Sequence, residues 1–355
     1  MKKVLILPLY GIGDVLMTTP AIRNLKEQFD AEITYLHMFK TTRDILMNNP
    51  FIAENIHFPF LHSGKLANAN FILRFRKKFD ISINFYPSNR RDYNLASFIA
   101  GSPVRIGHRY RSNDMRELNF LKTATVREDD GLHCVEENLR LLDFFNLQVK
   151  RSYPLEIYLT EEEKSFSERW LKARNIDKQI LVGIHPGTSI FKNHDRRRWP
   201  EDSFARIIDE LAWKLEEAGF LLFGGPEEKP LREKVISLLG HKEQVFSVDD
   251  VSVREAASLM RHCNLFISND SGPMHMAAAS GVPTVAVFGP TNPAWVRPWG
   301  VKQRIVRAGL FCSPCFRYSP KPLRCDENRD YECLNKVRVE QVLKACLDLL
   351  GEVAN

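Results

Sequence analysis

Leu265-Phe266-Ile267-Ser268-Asn269-Asp270-Ser271-Gly272-Pro273-Met274-His275-Met276-Ala277-Ala278-Ala279 reads as a short apolar strand, a polar turn and a helix of small residues. The strand Leu265–Ser268 is apolar almost throughout rather than alternating, as expected where helices cover both faces of a parallel sheet. The same unit recurs along the chain. Val4–Leu9, Glu32–His37, Ile81–Phe85 and Val104–Gly107 read as strands in the first half, and Ile180–His185, Phe220–Gly224 and Thr284–Phe288 join Leu265–Ser268 in the second. Between them lie segments of helical spacing. Glu136–Phe145 puts Leu139, Leu142 and Phe145 on one face, and Pro200–Gly219 spaces Phe204, Ile207, Ile208, Leu211 and Leu215 helically behind a proline in its first turn. Alternating strands and helices predict an α/β fold of Rossmann-like type. There is no internal repeat of 20 to 50 residues and no low-complexity tract.

At 355 residues the chain exceeds the size at which one core usually stops growing, so two domains are expected. The pattern restarts near residue 178, after a charged segment, Thr160–Asn175, whose Thr160 and Glu163 have capping-box spacing. The expected division is residues 1–160, residues 177–335 and a closing helix within 336–355, where Val339, Val342, Leu343, Leu347 and Leu350 are spaced helically. With 44% apolar and 26% charged residues the composition is globular. Lys+Arg 50 against Asp+Glu 44 leaves +6, a mild excess that suits an anionic small molecule or a membrane surface and excludes a nucleic-acid duplex as the expected partner. No apolar run approaches the roughly 18 residues of a membrane span. The start resembles a signal peptide only until Gly11-Ile12-Gly13-Asp14 interrupts it, so a cytoplasmic protein is expected. Seven cysteines, an odd number in a long chain, argue against a secreted disulfide framework.

Four clusters could carry chemistry. In Gly11-Ile12-Gly13-Asp14, glycines let the chain turn sharply and let a ligand come close. A dinucleotide fingerprint would need glycine where Leu16 stands and an acid near His37-Met38, so an NAD site is disfavoured. Asp14 is either a helix cap or a carboxylate at a sheet edge able to take a proton from a hydroxyl. In Asn269–Ala279, a helix start offers unpaired N–H groups and a partial positive charge to a phosphate. Asp270 or Ser271 could equally cap that helix, with His275 a packed polar residue. His185-Pro186-Gly187-Thr188-Ser189, followed by Lys192, Arg196, Arg197 and Arg198, puts hydroxyls and cations in one loop, as a diphosphate or a solvated surface would have them. Gly224-Gly225-Pro226-Glu227-Glu228 offers a carboxylate to ribose hydroxyls or to the next helix. All four lie at the C-terminal end of a strand, where open α/β sheets bind ligands.

These motifs resemble the ADP-heptose:lipopolysaccharide heptosyltransferases of glycosyltransferase family 9. The resemblance covers Ile6–Leu16 with Thr19-Pro20-Ala21-Ile22, then His185–Thr188 leading to Arg197-Arg198-Trp199-Pro200, Phe223–Glu227, and Ser268–Ala278, in that order across nearly the whole chain. It implies a GT-B fold, with two Rossmann-like domains facing across a cleft and a final helix returning to the first. It also implies inverting transfer of L-glycero-D-manno-heptose from ADP-heptose to the lipid A–Kdo inner core at the cytoplasmic face of the inner membrane, with no cofactor and no catalytic metal. By position, Asp14 matches the general base beside Gly13, and Thr188 and Ser189 match hydroxyls at the diphosphate. Asp270, Ser271, Gly272 and His275 match the donor-sugar motif, and Glu228, or Glu227 in the neighbouring register, matches the ribose acid. The family commonly has lysine where Arg197 stands. Arginine keeps the charge and adds a bidentate fork, and Lys192 competes for the role.

Arg74-Phe75-Arg76-Lys77-Lys78, Arg90-Arg91 and Arg105–Arg111 lie in the first half and would make either a solvated surface or a positive rim for an anionic acceptor. Cys312, Cys315, Cys325 and Cys333 open with a Cys-x2-Cys pair that could hold a structural metal, although the second pair lacks the tight spacing of zinc ribbons. The rival readings are another family 9 transferase with a different sugar or acceptor, a nucleotide-sugar epimerase of similar architecture, and a non-catalytic nucleotide-binding module.

Overall fold

The computed structural model describes residues 1–88, 90–110, 115–318 and 322–354. The chain divides into two units, Met1–Tyr158 and Leu159–Asn355. In the first, β1 (Lys2–Ile6), β2 (Ala31–His37), β3 (Glu54–His57), β4 (Ile81–Asn84), β5 (Val104–Arg109) and β6 (Ala124–Arg127) form one sheet in the order β3-β2-β1-β4-β5-β6. In the second, β7 (Ile180–His185), β8 (Ala218–Leu222), β9 (Val245–Ser247), β10 (Leu265–Asn269), β11 (Thr284–Val287) and β12 (Gln303–Val306) repeat that order, as β9-β8-β7-β10-β11-β12. Every strand pair is parallel. Each sheet is therefore doubly wound, and chain order reverses between β1 and β4 and between β7 and β10, the positions where such sheets bind ligands.

Central strands follow their apolar runs: Val4–Ile6 and β8, β10 and β11 are buried along their length. Strand β1 stops earlier than expected because Pro8 has no N–H for the ladder; Leu7 makes the last bond, donating to Ile83 at 3.0 Å. A helix running from Asp14 towards Phe29 is expected, with Pro20 kinking it or starting a second segment; there are two helices, Ile12–Leu16 and Thr19–Gln28, and Pro20 sits in the first turn of the second, where its missing donor costs nothing. Glu136–Phe145 is likewise split, into the α-helix Cys134–Arg140 and the 3₁₀ turn Leu141–Phe145.

The second unit is longer at both ends than 177–335. It begins with the helix Glu161–Ala173, capped as expected: Glu163 N–H donates to Thr160 Oγ1 at 3.2 Å, and Thr160 N–H to Glu163 Oε2 at 2.8 Å. It ends with the helix Val339–Ala354, which packs against the helix Glu201–Lys214 and against β10, β11 and β12. Val339, Val342, Cys346 and Leu349 enter the same core as Phe204, Ile208 and Leu211. The apolar stripe of the closing helix thus enters the core of its own unit, whereas its spacing alone leaves open whether it packs there or crosses to the first.

Candidate functional site

The second unit brings three of the four clusters together. His185 ends β7, Asn269 ends β10, and Phe223-Gly224-Gly225 follows β8, so their side chains share the C-terminal edge of one sheet. Asn269 stitches the loops. Its amide donates to Pro186 O at 2.8 Å, and its Oδ1 accepts from Trp199 N–H at 2.9 Å. Trp199, fully buried, donates through its indole to Val337 O at 3.0 Å, which ties the arginine-rich loop to the core.

The helix Gly272–Ala279 starts at this edge. Ser271 is its N-cap by backbone conformation, yet its side chain does not cap it. Ser271 Oγ lies 3.2 Å from His185 Nδ1 and 3.1 Å from Ser268 Oγ instead. Asp270 does not cap it either; its Oδ2 accepts from Arg197 Nη1 at 2.7 Å. The first-turn N–H groups are thus left without a side-chain cap, the arrangement that suits an anion. His275, one turn in, is buried, and neither its Nδ1 nor the buried Nε of Arg197 has a hydrogen-bond partner among the described residues.

Arg197, rather than Lys192, stands at Asp270. Its Nη2 lies 3.1 Å from His194 Nδ1, and its guanidinium lies over the Phe316 ring at 5.6 Å from the centroid. Lys192 has a left-handed backbone (φ 54°), its carbonyl accepts from Leu323 N–H, and its ammonium sits over the exposed ring of Phe191. Thr188 is buried, and its hydroxyl donates to His194 O at 2.8 Å. The Arg198 guanidinium donates to Thr188 O at 2.7 Å. Ser189 is exposed and accepts from Phe191 N–H at 3.2 Å, closing its own turn.

The two glutamates separate cleanly. Glu227 is exposed and Glu228 is buried. Glu228 Oε2 accepts from Gly225 N–H at 3.0 Å and lies 3.0 Å from His185 Nε2. Burial pushes its carboxyl up, but the His185 contact, the Gly225 N–H and the charge of Arg198 outweigh that and hold it below the usual carboxylate range. His185 and Asn269 stand inside the sequence motifs without marking themselves as site residues. What sequence could show is a polar residue at the buried end of an apolar strand, where a partner is obligatory.

In the first unit, Asp14 is not the N-cap. It stands three residues after the capping position, Gly11, and its Oδ2 accepts from Gly11 N–H at 3.0 Å. Gly13 is buried in the same turn. The phenol of Tyr93 feels the charges of Arg90 and Asp14, and burial pushes Tyr10 up to about 12 against the pull of Arg90. Arg90 and Asp14 thus both act on the Tyr93 phenol. Arg91 is exposed and 4.0 Å from Asp92, a solvated contact. Of the other basic residues, Arg105 is committed to Leu121 O and Ser102 O, Arg74, Arg76, Lys77 and Lys78 are exposed, and Arg111 lies outside the described residues. At the end of β2, His37 bonds Asn55 at 2.8 Å where a dinucleotide site would place an acid.

Cys312, Cys315, Cys325 and Cys333 line one cavity of about 280 Å³ as free thiols. Among the described residues no group of three or more His, Cys, Asp or Glu side chains is arranged to hold a metal ion. The four thiols share a cavity without converging on a point.

Burial pushes His37, His194 and His275 each down to about 4. In the unfolded chain these rings titrate near 6.5, so between about 6.5 and 4 the unfolded state binds more protons. Stability is then expected to be complete above about 6.5 and to fall with pH through that window. Urea midpoints measured from pH 7 to pH 5 should decline, and His275→Gln should flatten the decline; an unchanged slope in that variant would discount His275 as a contributor.

A model of glycosyltransferase family 9 (heptosyltransferase) matches residues 76–323. The chain is 27% identical over 354 residues to lipooligosaccharide heptosyltransferase 2 of Campylobacter jejuni, covering 96% of this chain and 95% of that one. It is 28% identical over 371 residues to lipopolysaccharide heptosyltransferase 3 of Escherichia coli, covering 96% of each. Among solved structures, a family 9 glycosyltransferase from Veillonella parvula superposes with a TM-score of 0.81 at 24% identity, covering 99% of this chain and 98% of that one. ADP-heptose LPS heptosyltransferase II of E. coli superposes at 0.74 and 21%, covering 99% and 100%. Those two likenesses establish the shared GT-B fold, and with the family match spanning most of the sequence, this chain belongs to glycosyltransferase family 9, the heptosyltransferases.

Proposed function

We propose that the protein transfers L-glycero-D-manno-heptose from ADP-heptose to a lipopolysaccharide inner core, with inversion and without a catalytic metal ion. The observation that supports this most is the helix start at Gly272, whose N-cap side chain is turned away to His185 while Arg197 and Asp270 pair beside it. A diphosphate set there gains helix N–H groups and a guanidinium. These are preorganised positive groups that stabilise charge growing on a leaving ADP, the task a divalent ion performs in other transferases. In the reaction, an acceptor hydroxyl oxygen bonds to the anomeric carbon, its proton passes to the Asp14 carboxylate, and the bond from that carbon to the ADP oxygen breaks with its electron pair on ADP. Glu228 is the ribose acid in this reading, and Thr188 lines the diphosphate loop. Names of relatives support the donor and acceptor classes, since E. coli heptosyltransferase structures are described with ADP and with an ADP-2-deoxy-2-fluoro heptose.

The test is a panel of ADP- and UDP-sugars, each with and without a truncated lipid A–Kdo core acceptor, scored for released nucleotide diphosphate. ADP-heptose with acceptor is expected to be the productive pair. Preference for a UDP-sugar, or release indifferent to acceptor, would reject the proposal.

Among the described residues no helix is long and apolar enough to cross a membrane. The proposed meeting with a lipid-borne acceptor is peripheral and electrostatic, at the cytoplasmic face of the inner membrane. Arg90 and Asp14 both act on the Tyr93 phenol and Arg91 is exposed next in the chain, so Arg90→Gln with Arg91→Gln is expected to raise the acceptor KM several-fold at low salt and much less at high salt. A KM unmoved by both substitutions and by salt would make this ordinary surface.

A further inference from the structure

We infer that His185 is the positioning residue of the donor site: one imidazole sets the Glu228 carboxylate for the ribose and holds Ser271 off the helix that takes the diphosphate. The inference rests on the donor reading above and adds a residue to it. Glu228 is buried, so its carboxylate needs fixed donors to stay charged. Its Oε2 has two, Gly225 N–H and His185 Nε2, each at 3.0 Å. Its Oε1 packs over Gly187, where a Cβ would stand 1.8 Å away, so only glycine lets the carboxylate lie there. Three contacts, two from the end of β7 and the loop after it and one from its own turn after β8, thus leave it one orientation.

The other side of the ring faces Ser271. The Ser271 hydroxyl lies 3.2 Å from Nδ1, across the ring from Glu228, and 3.1 Å from Ser268 Oγ. Ser271, committed to this chain, does not cap the helix Gly272–Ala279. His185, Ser268 and Ser271 are all buried, so the chain is shielded from competing water. The ends of β7 and β10 and the turn after β8 are joined through one side chain.

A buried histidine that only filled space would affect all ligands alike, and ligand discrimination separates the two roles. The probes are ADP and 2′-deoxy-ADP, titrated calorimetrically against the full chain. Wild type is expected to prefer ADP by about tenfold or more, the size of one hydrogen bond to a charged group. His185→Asn keeps an acceptor towards Ser271 but is too short for Glu228, and should lose most of that preference. His185→Gln can still reach Glu228 and should keep it. If Asn and Gln weaken both nucleotides equally and leave the ratio at its wild-type value, His185 is structural and the inference fails while the donor reading stands. If wild type shows no preference, or Glu228→Gln leaves it unchanged, the ribose assignment fails and takes this inference with it.

Discussion

Asp14→Asn is expected to lower kcat by two to four powers of ten while leaving ADP affinity within about twofold of wild type, because a single positioned base contributes about that much to a proton transfer. The substitution is nearly isosteric, and the amide oxygen can still accept from Gly11 N–H, the 3.0 Å bond that Asp14 Oδ2 receives. The turn therefore survives and only the capacity to take a proton is removed. That separates the two roles the residue could have. A structural Asp14 would show its loss as a lowered unfolding midpoint with kcat nearly intact; a base shows the reverse. ADP affinity is the internal control, since the residues proposed to hold the nucleotide all come from the second unit. A rate within a few-fold of wild type at saturating acceptor would remove Asp14 from the mechanism.

The strands that sequence reading finds and those it misses divide by position in the sheet. All eight expected strands exist, and all are interior: β1, β2, β4 and β5 in one sheet, β7, β8, β10 and β11 in the other. The four that were not anticipated, β3, β6, β9 and β12, are the four edges. An interior strand of a doubly wound sheet is covered on both faces, and its residues must be apolar in an unbroken run. An edge strand has one neighbour and stands partly in water, so Glu54-Asn55-Ile56-His57 and Ala124-Thr125-Val126-Arg127 carry no such run. Helix breaks follow the same logic of local chemistry, and Pro20 marks in the sequence the start of the second helix. The site was visible as motifs at strand ends, because glycine, hydroxyl and charge at the end of an apolar run are conspicuous. Their mutual commitments were not visible. The pairing of Arg197 with Asp270, the turning of Ser271 to His185 and the burial of Glu228 against Gly187 join residues tens of positions apart, and no spacing rule connects them. For the same reason the helix Val339–Ala354 shows its apolar stripe in sequence but not the core that stripe enters.

Arg197→Met is expected to lower kcat by about two to three powers of ten, the cost of removing one preorganised group from developing charge. It should also lower stability, because it strips the ion-pair partner from Asp270, a carboxylate only 7% exposed. Breaking a buried pair from one side costs about 3–5 kcal/mol, a ceiling here since Arg197 keeps some solvent contact. The two losses have different causes and can be separated. Asp270→Asn combined with Arg197→Met leaves no uncompensated charge, so the double variant should regain much of the unfolding free energy while turnover stays low. Arg197→Lys keeps the charge as a point rather than a fork, and should retain most of the turnover with a weaker hold on Asp270. Lys192→Met serves as the comparison: its ammonium sits over Phe191, so its loss should change kcat only a few-fold. If Lys192→Met produces the collapse and Arg197→Met does not, the cation facing the leaving group comes from the loop before Trp199 at residue 192, and the Arg197–Asp270 pair is a strut of the fold rather than part of the donor site.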